Sequence, residues 1–172
     1  MSDDHTSMTP DELLAKLDEL GIESETVSHP PVFTVEEARA HRGDLPGAHT
    51  KNLFVRDKKG VMWLVVAIES RPIDLRALAE KLGHKRFSFG SEQRLRRYLG
   101  VIPGSVTPFG VVNDVEGAVS VALDTSLRDY ELWNFHPLVN SMTTTIRGED
   151  MIRFLDAVDH APTWVDLQTP QP

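Results

Sequence analysis

The chain of 172 residues contains no cysteine. That excludes thiol catalysis, thiolate zinc sites, iron–sulfur clusters and disulfide scaffolds. Long hydrophobic runs are also missing. The longest is the octapeptide VMWLVVAI at Val61–Ile68, far short of the roughly 20 residues of a membrane helix. No glycine-rich dinucleotide fingerprint and no phosphate-binding P-loop is present, so nucleotide-cofactor folds are unsupported. No GxSxG elbow marks a serine hydrolase of that class. The histidines are His5, His29, His41, His49, His84, His136 and His160, and none falls in HExxH or HxH spacing. No metal and no other cofactor is therefore expected. The start, Met1-Ser2-Asp3-Asp4-His5, is polar and acidic, unlike a signal peptide. A cytoplasmic protein without membrane contact is the expectation.

What is present fits one globular domain. Apolar residues make up 40% of the chain and charged residues 26%, over a mass of 19.2 kDa. The net charge of −8 argues against indiscriminate nucleic-acid binding, and no DNA partner is expected. The charge is uneven, however. Residues 51–59 carry four basic residues and one acid, and residues 81–97 carry six and one. These stretches either form solvated faces or bind an anion locally.

Residues 1–8 read as a disordered tail, 9–160 as the domain and 161–172 as a C-terminal arm. Thr9-Pro10-Asp11-Glu12 is a capping box that opens a helix ending at Gly21. Residues 22–28 alternate as a strand. His29-Pro30-Pro31 is a stiff break, and Thr34–Glu37 is a second capping box for a helix to about His41. Residues 49–56 and 61–68 form a hairpin through Asp57-Lys58-Lys59-Gly60. Helices are expected near 74–82, capped by Asp74, and over Ser91–Leu99. Strand-like pieces follow at 109–112, 118–123, 131–135 and 142–147, then a helix from Gly148 to about Val158. The fold class is α/β of the α+β kind: a single domain whose central mixed, largely antiparallel sheet is surrounded by helices.

Three polar clusters could carry chemistry. Lys51 and Asn52 start a strand, where a lysine can offer a point charge to a phosphate or simply sit on the surface. Gly100–Gly110 holds three glycines and two prolines. Such a loop can aim backbone N–H groups at an anion, or merely connect a helix to a strand. His136 lies in Trp133–Asn140, flanked by Phe135 and Pro137, as a core residue or a functional one.

In order along the chain, His29–Val32, Lys51–Asp57, Gly104–Gly110, Asn113-Asp114 and Phe135–Asn140 resemble the motifs of the freestanding prolyl-tRNA editing proteins. These are related to the YbaK proteins and to the editing domain inserted in bacterial prolyl-tRNA synthetases. The resemblance covers about residues 9–158. It implies a YbaK-like fold and a trans-editing deacylase that cleaves the aminoacyl ester of mischarged tRNA(Pro). The subgroup it resembles most removes alanine. Lys51 maps onto the lysine near the terminal nucleotide, Asn52 onto its neighbouring asparagine and His136 onto the family's histidine. Gly104, Ser105, Val106, Thr107 and Pro108 map onto the loop whose backbone surrounds the ester. Candidate pocket walls are Val32, Phe33, Leu53 and Val106. Arg56, Lys85, Arg86, Arg94 and Arg97 are candidate tRNA contacts, and prolyl-tRNA synthetase is a candidate second partner. Cys-tRNA(Pro) deacylation, a broader deacylase and a non-catalytic aminoacyl-tRNA-binding module stay open as alternatives. An aminoacyl ester is already activated, so water can attack without a side-chain nucleophile, which accommodates the missing cysteine and triad.

Overall fold

The computed structural model describes residues 7–31 and 45–167. The expected second capping box and helix after Thr34, and the candidate wall residues Val32 and Phe33, lie outside them. Helix α1 spans Pro10–Glu19. Its capping box is complete: the Glu12 amide donates to Thr9 Oγ1 at 3.1 Å and the Thr9 amide to Glu12 Oε1 at 2.9 Å. These bonds satisfy amides left orphaned at the helix start and hold the Glu12 carboxyl below its ordinary range. Leu13 and Leu17 are the face it buries. Met8, placed by the sequence in a tail, is tied to the body. The Met8 amide donates to Asn113 Oδ1 at 2.8 Å, and its side chain packs on the core.

Among the described residues, eight strands form the sheet: β1 (Ser24–Ser28), β2 (Ala48–Arg56), β3 (Met62–Ile68), β4 (Ser88–Phe89), β5 (Val119–Asp124), β6 (Leu132–Phe135), β7 (Met142–Arg147) and β8 (Thr163–Val165). Their order is β1-β7-β6-β2-β3-β5-β8, with β4 also on β2. The pairs β1–β7, β2–β3, β2–β4 and β6–β7 are antiparallel. β2–β6, β3–β5 and β5–β8 are parallel. The hairpin turn is built by Asp57, whose Oδ1 accepts the amides of Lys59 and Val61, and by Gly60 at φ +88°.

β3 explains its unbroken apolar run. Leu64 and Val66 face the main core, while Val65 faces a second core under helix α2 (Leu75–Lys81). A strand buried on both faces has no polar alternation to show. The main core also takes in α1, Phe109, Trp133, Phe135 and Phe154 of helix α4 (Gly148–Ala157).

Three expectations change. Residues 109–112 are not a strand but part of a 3-10 turn, Pro108–Asn113. Pro108 brings no N–H for a ladder, and Thr107 Oγ1 caps the Phe109 amide at 3.2 Å. The Ser91–Leu99 segment is α-helical only over Glu92–Arg94 (α3) and widens to a π turn over Leu95–Leu99, ended by Gly100 at φ +66°. Past residue 160, Thr163–Val165 is docked as a strand beside β5 instead of standing off as an arm.

Candidate active site

The sheet splits along β2. β6 pairs with β2 only at Ala48↔Trp133 and His49↔Asn134, and β4 only at Val55↔Phe89 and Arg56↔Ser88. Residues 51–53 between them have no strand partner on that edge among the described residues. The cause is the Phe135-His136-Pro137 sequence. Proline cannot continue a ladder, and the chain turns away there, with Leu138 at φ +71° and its amide donating to the His136 carbonyl.

The open edge exposes particular backbone groups. The His49 carbonyl accepts from the Glu69 amide and the Asp57 amide donates to the Val61 carbonyl. Odd residues of β2 therefore bond to β3, and the N–H and C=O of Asn52 point toward the split.

Alternation sorts the side chains. Ala48 and Phe54 face the main core, so Asn52 does too. There its Nδ2 donates to the Val106 carbonyl at 3.1 Å, tying the strand to the 104–108 loop. Its Oδ1 is buried and accepts no hydrogen bond. Lys51 lies on the other face. His136 shares that face, because Trp133 and Phe135 face the main core. Lys51 and His136 each lie two residues past the last β2–β6 pair, His49↔Asn134, on strands that have parted by then.

His136 is held by its Nδ1–H, which donates to the Met142 carbonyl at 2.8 Å. Nε2 is then the acceptor. Burial pushes its pKa down, the Met142 bond opposes this, and the nearby His29 adds to the fall. The ring is therefore neutral at physiological pH. His29 stands beside it, ring centroids 6.2 Å apart. It donates from Nδ1 to its neighbour Pro30's carbonyl and accepts at Nε2 from Thr143 Oγ1. The Lys51 pKa is lowered by partial burial, with Glu69 opposing and Arg71 assisting. Arg71 is itself fixed, donating to buried Asp124 at 3.3 Å and to Ser126 at 2.6 Å.

The glycine-rich loop is a shaped backbone, not a source of side-chain nucleophiles. Ser105 is fully buried and its hydroxyl donates to the Ile102 carbonyl at 3.0 Å. Thr107 is equally buried and spent on its cap. Gly104 takes φ +95°, a conformation that favours glycine. Pro108 is buried at the start of the 3-10 turn, and Val106 packs on the main core.

Leu53 packs on the second core. The basic candidates gather at the far end of β2. Arg56 is opposite both Met62 and Ser88 in register, and Arg94 Nη1 lies 3.9 Å from Met62 Sδ. Lys85 and Arg86 are exposed just before β4. Arg97 lies over its neighbour Tyr98, 5.1 Å from the ring centre.

Sequence reasoning missed Asn134 as the organiser of the split. Its Nδ2 donates to the Pro46 and Ala48 carbonyls, its Oδ1 accepts from Thr145, and its own carbonyl accepts from Thr50. Its place in the Trp-Asn-Phe-His-Pro cluster was the one available signal. The Asn113-Asp114 motif proves structural: Asn113 joins Met8 to the Leu99 carbonyl, and Asp114 accepts from His160.

The model of the aminoacyl-tRNA editing domain matches residues 29–154. The prolyl-tRNA editing protein ProX of Acetoanaerobium sticklandii is 40% identical over 146 residues, covering 84% of this chain and 89% of that one. Prolyl-tRNA synthetase associated domain-containing protein 1 of Danio rerio is 37% identical, covering 91% and 88%. A crystal structure described as a candidate trans-editing enzyme for prolyl tRNA synthetase shares the fold, with a TM-score of 0.69 at 17% identity, over 94% of this chain and 99% of that one. The motifs that meet at the split and the match over most of the chain agree: this protein belongs to the aminoacyl-tRNA editing domain family.

Proposed function

We propose that the protein is a trans-editing deacylase that hydrolyses the ester of mischarged tRNA(Pro), with alanine as the amino acid removed. The observation that carries this reading is the split in β2. It leaves the Lys51 cation and the neutral His136 imidazole each two residues past the last β2–β6 pair, beside a strand edge that offers the Asn52 amide. No thiol or hydroxyl nucleophile is needed for so activated an ester.

Lys51 binds the phosphate of the terminal nucleotide as a point charge. Water attacks the ester carbonyl, directed by the free hydroxyl of the terminal ribose. Backbone N–H groups of Val106, Thr107 and Asn52 receive the developing oxyanion, each such donor typically worth about 3–4 kcal/mol; the Ser105 amide is already donated to the Ile102 carbonyl. The oxyanion collapses, the ribose oxygen leaves with a proton, and the free amino acid is released. Nε2 of His136 accepts a hydrogen bond from the α-ammonium. Proline's ring is bulkier than alanine's methyl, so size favours alanine. The cations around Arg56 hold the acceptor stem.

The test is incubation with tRNA(Pro) charged with alanine, proline, cysteine or serine. Alanine should be released while prolyl-tRNA persists. Equal release of alanine and proline would leave a broader deacylase, preferential cysteine release would change the substrate, and binding without release would leave a binding module.

A further inference from the structure

We propose that Phe89 is a stacking platform for a base of the unpaired 3′ end of the tRNA, upstream of the terminal adenosine. The inference rests on the deacylase reading and extends it from the ester to the nucleotides that lead into the site.

Phe89 is 62% exposed, an unusual place for a large aromatic side chain. It is nevertheless rigidly mounted. It pairs in register with Val55, and the next amide, Gly90, donates to the Phe54 carbonyl at 2.8 Å. Gly90 lies flat on Phe54, where an added Cβ would come within 2.4 Å of the ring. The backbone is thus pinned on both sides of a side chain that the core does not use.

Its placement matches a strand leaving the site. Phe89 shares a sheet face with Val55, and Val55 shares that face with Leu53 and Lys51. Four residues of β2 separate Val55 from Lys51, a distance of about 13 Å. That is a span of about two nucleotides of extended single strand. With the terminal phosphate at Lys51, the preceding nucleotides follow the open edge of β2 at residues 51–53 toward Phe89, since Val55 itself is buried in the second core.

The charge around it fits the same ligand. Lys85 and Arg86 are exposed immediately before β4, and Arg56 pairs with Ser88. Lys85 and Arg86 form no ion pair with any described carboxylate, whereas Arg96 of the same basic stretch is taken by Glu92 at 2.9 Å. A flat apolar ring beside unpaired cations, on a chain of net charge −8, is the arrangement that binds single-stranded nucleic acid by stacking and backbone neutralisation.

The experiment compares the wild type with Phe89→Ala, Phe89→Leu and Phe89→Trp on alanyl-tRNA(Pro) and on alanyl-adenosine, which has no upstream base. Phe89→Ala and Phe89→Leu should raise KM for the tRNA about tenfold with kcat kept, and Phe89→Trp should restore it. KM for alanyl-adenosine should not move. An unchanged KM on the tRNA, or an equal rise on both substrates, overturns the proposal. A binding measurement separates this from the deacylase reading: an uncharged cytidine-cytidine-adenosine trinucleotide should shift the Phe89 ring protons upfield. Such a shift in a protein that releases no amino acid supports the platform while the deacylase reading falls. No ring shift at saturating trinucleotide overturns the platform even if hydrolysis is observed.

Discussion

Two histidines of this chain are pushed in opposite directions. For His160, burial lowers the pKa, but hydrogen bonds to Asp114 and Val158 and the Asp114 charge outweigh it, and the net shift is upward. Its Nε2 is 2.9 Å from Asp114 Oδ2, and the same carboxylate accepts the Ala118 and Val119 amides. Asp114 is lowered in turn, its burial outweighed by these bonds. For His136, burial dominates and no carboxylate answers it. The first histidine is fully paired and locks α4 to the turn before β5. The second keeps a neutral ring with one nitrogen committed to the fold and the other an acceptor at the sheet split. Pairing spends a histidine on stability; its absence leaves one able to meet a substrate.

The sharpest way to break this comparison is to remove the structural partner. His160→Ala strands a buried carboxylate and should cost about 3 kcal/mol in urea unfolding, with the turnover of the remaining folded molecules unchanged. His136→Ala should do the reverse. Stability should fall by only about 1 kcal/mol, from the lost Met142 bond, while kcat/KM falls about thirtyfold, the scale of a lost hydrogen bond to a charged group. The wild-type pH–rate profile should rise through a limb below pH 6.5, the ordinary histidine value, as His136 loses its proton, and the variant should lack that limb.

Stability against pH gives a gentler contrast. The folded pKa of His160 is raised, so its contribution is complete below its ordinary 6.5 and fades as pH climbs through the folded value. Asp114 is lowered, so its contribution is present above its ordinary 3.8 and fades only as pH falls through its own folded value. Wild-type stability should therefore decline above pH 6.5 by an amount that His160→Gln abolishes, seen in unfolding midpoints at successive pH values. The smallest effect is expected at the rim: Arg86→Ala should reduce the slope of log affinity for tRNA against log salt by about 1.

The features legible in the sequence were local. The Thr9–Glu12 capping box, the Asp57–Gly60 turn and the Asp74 cap each act within a few residues, and the structure has all of them. Residues 109–112 misled because a short buried apolar run looks alike as a strand or a 3-10 turn; the deciding contact was the Thr107 cap. β8 needed β5 as its partner, 41 residues earlier at Asp124↔Val165, and three residues carry no period of their own. The site shows the same boundary. Lys51, Asn52 and His136 were visible as polar residues in shaped contexts, and the family resemblance singled them out. The split that arranges them depends on where β6 leaves β2, which no local pattern encodes. The His160–Asp114 pair spans 46 positions; the Asn113-Asp114 motif marked one end, and nothing marked His160 as its partner.

The central claim is that the β2 split is where the ester is cleaved, and Lys51→Ala tests it most directly. Lys51 sits at a strand edge and contributes little packing, so thermal unfolding of the variant should match the wild type. Release of alanine from alanyl-tRNA(Pro) should fall at least about tenfold, the scale at which lost positioning shows in rate. A Lys51→Ala protein with an unchanged melting temperature and an unchanged rate of alanine release would contradict the account.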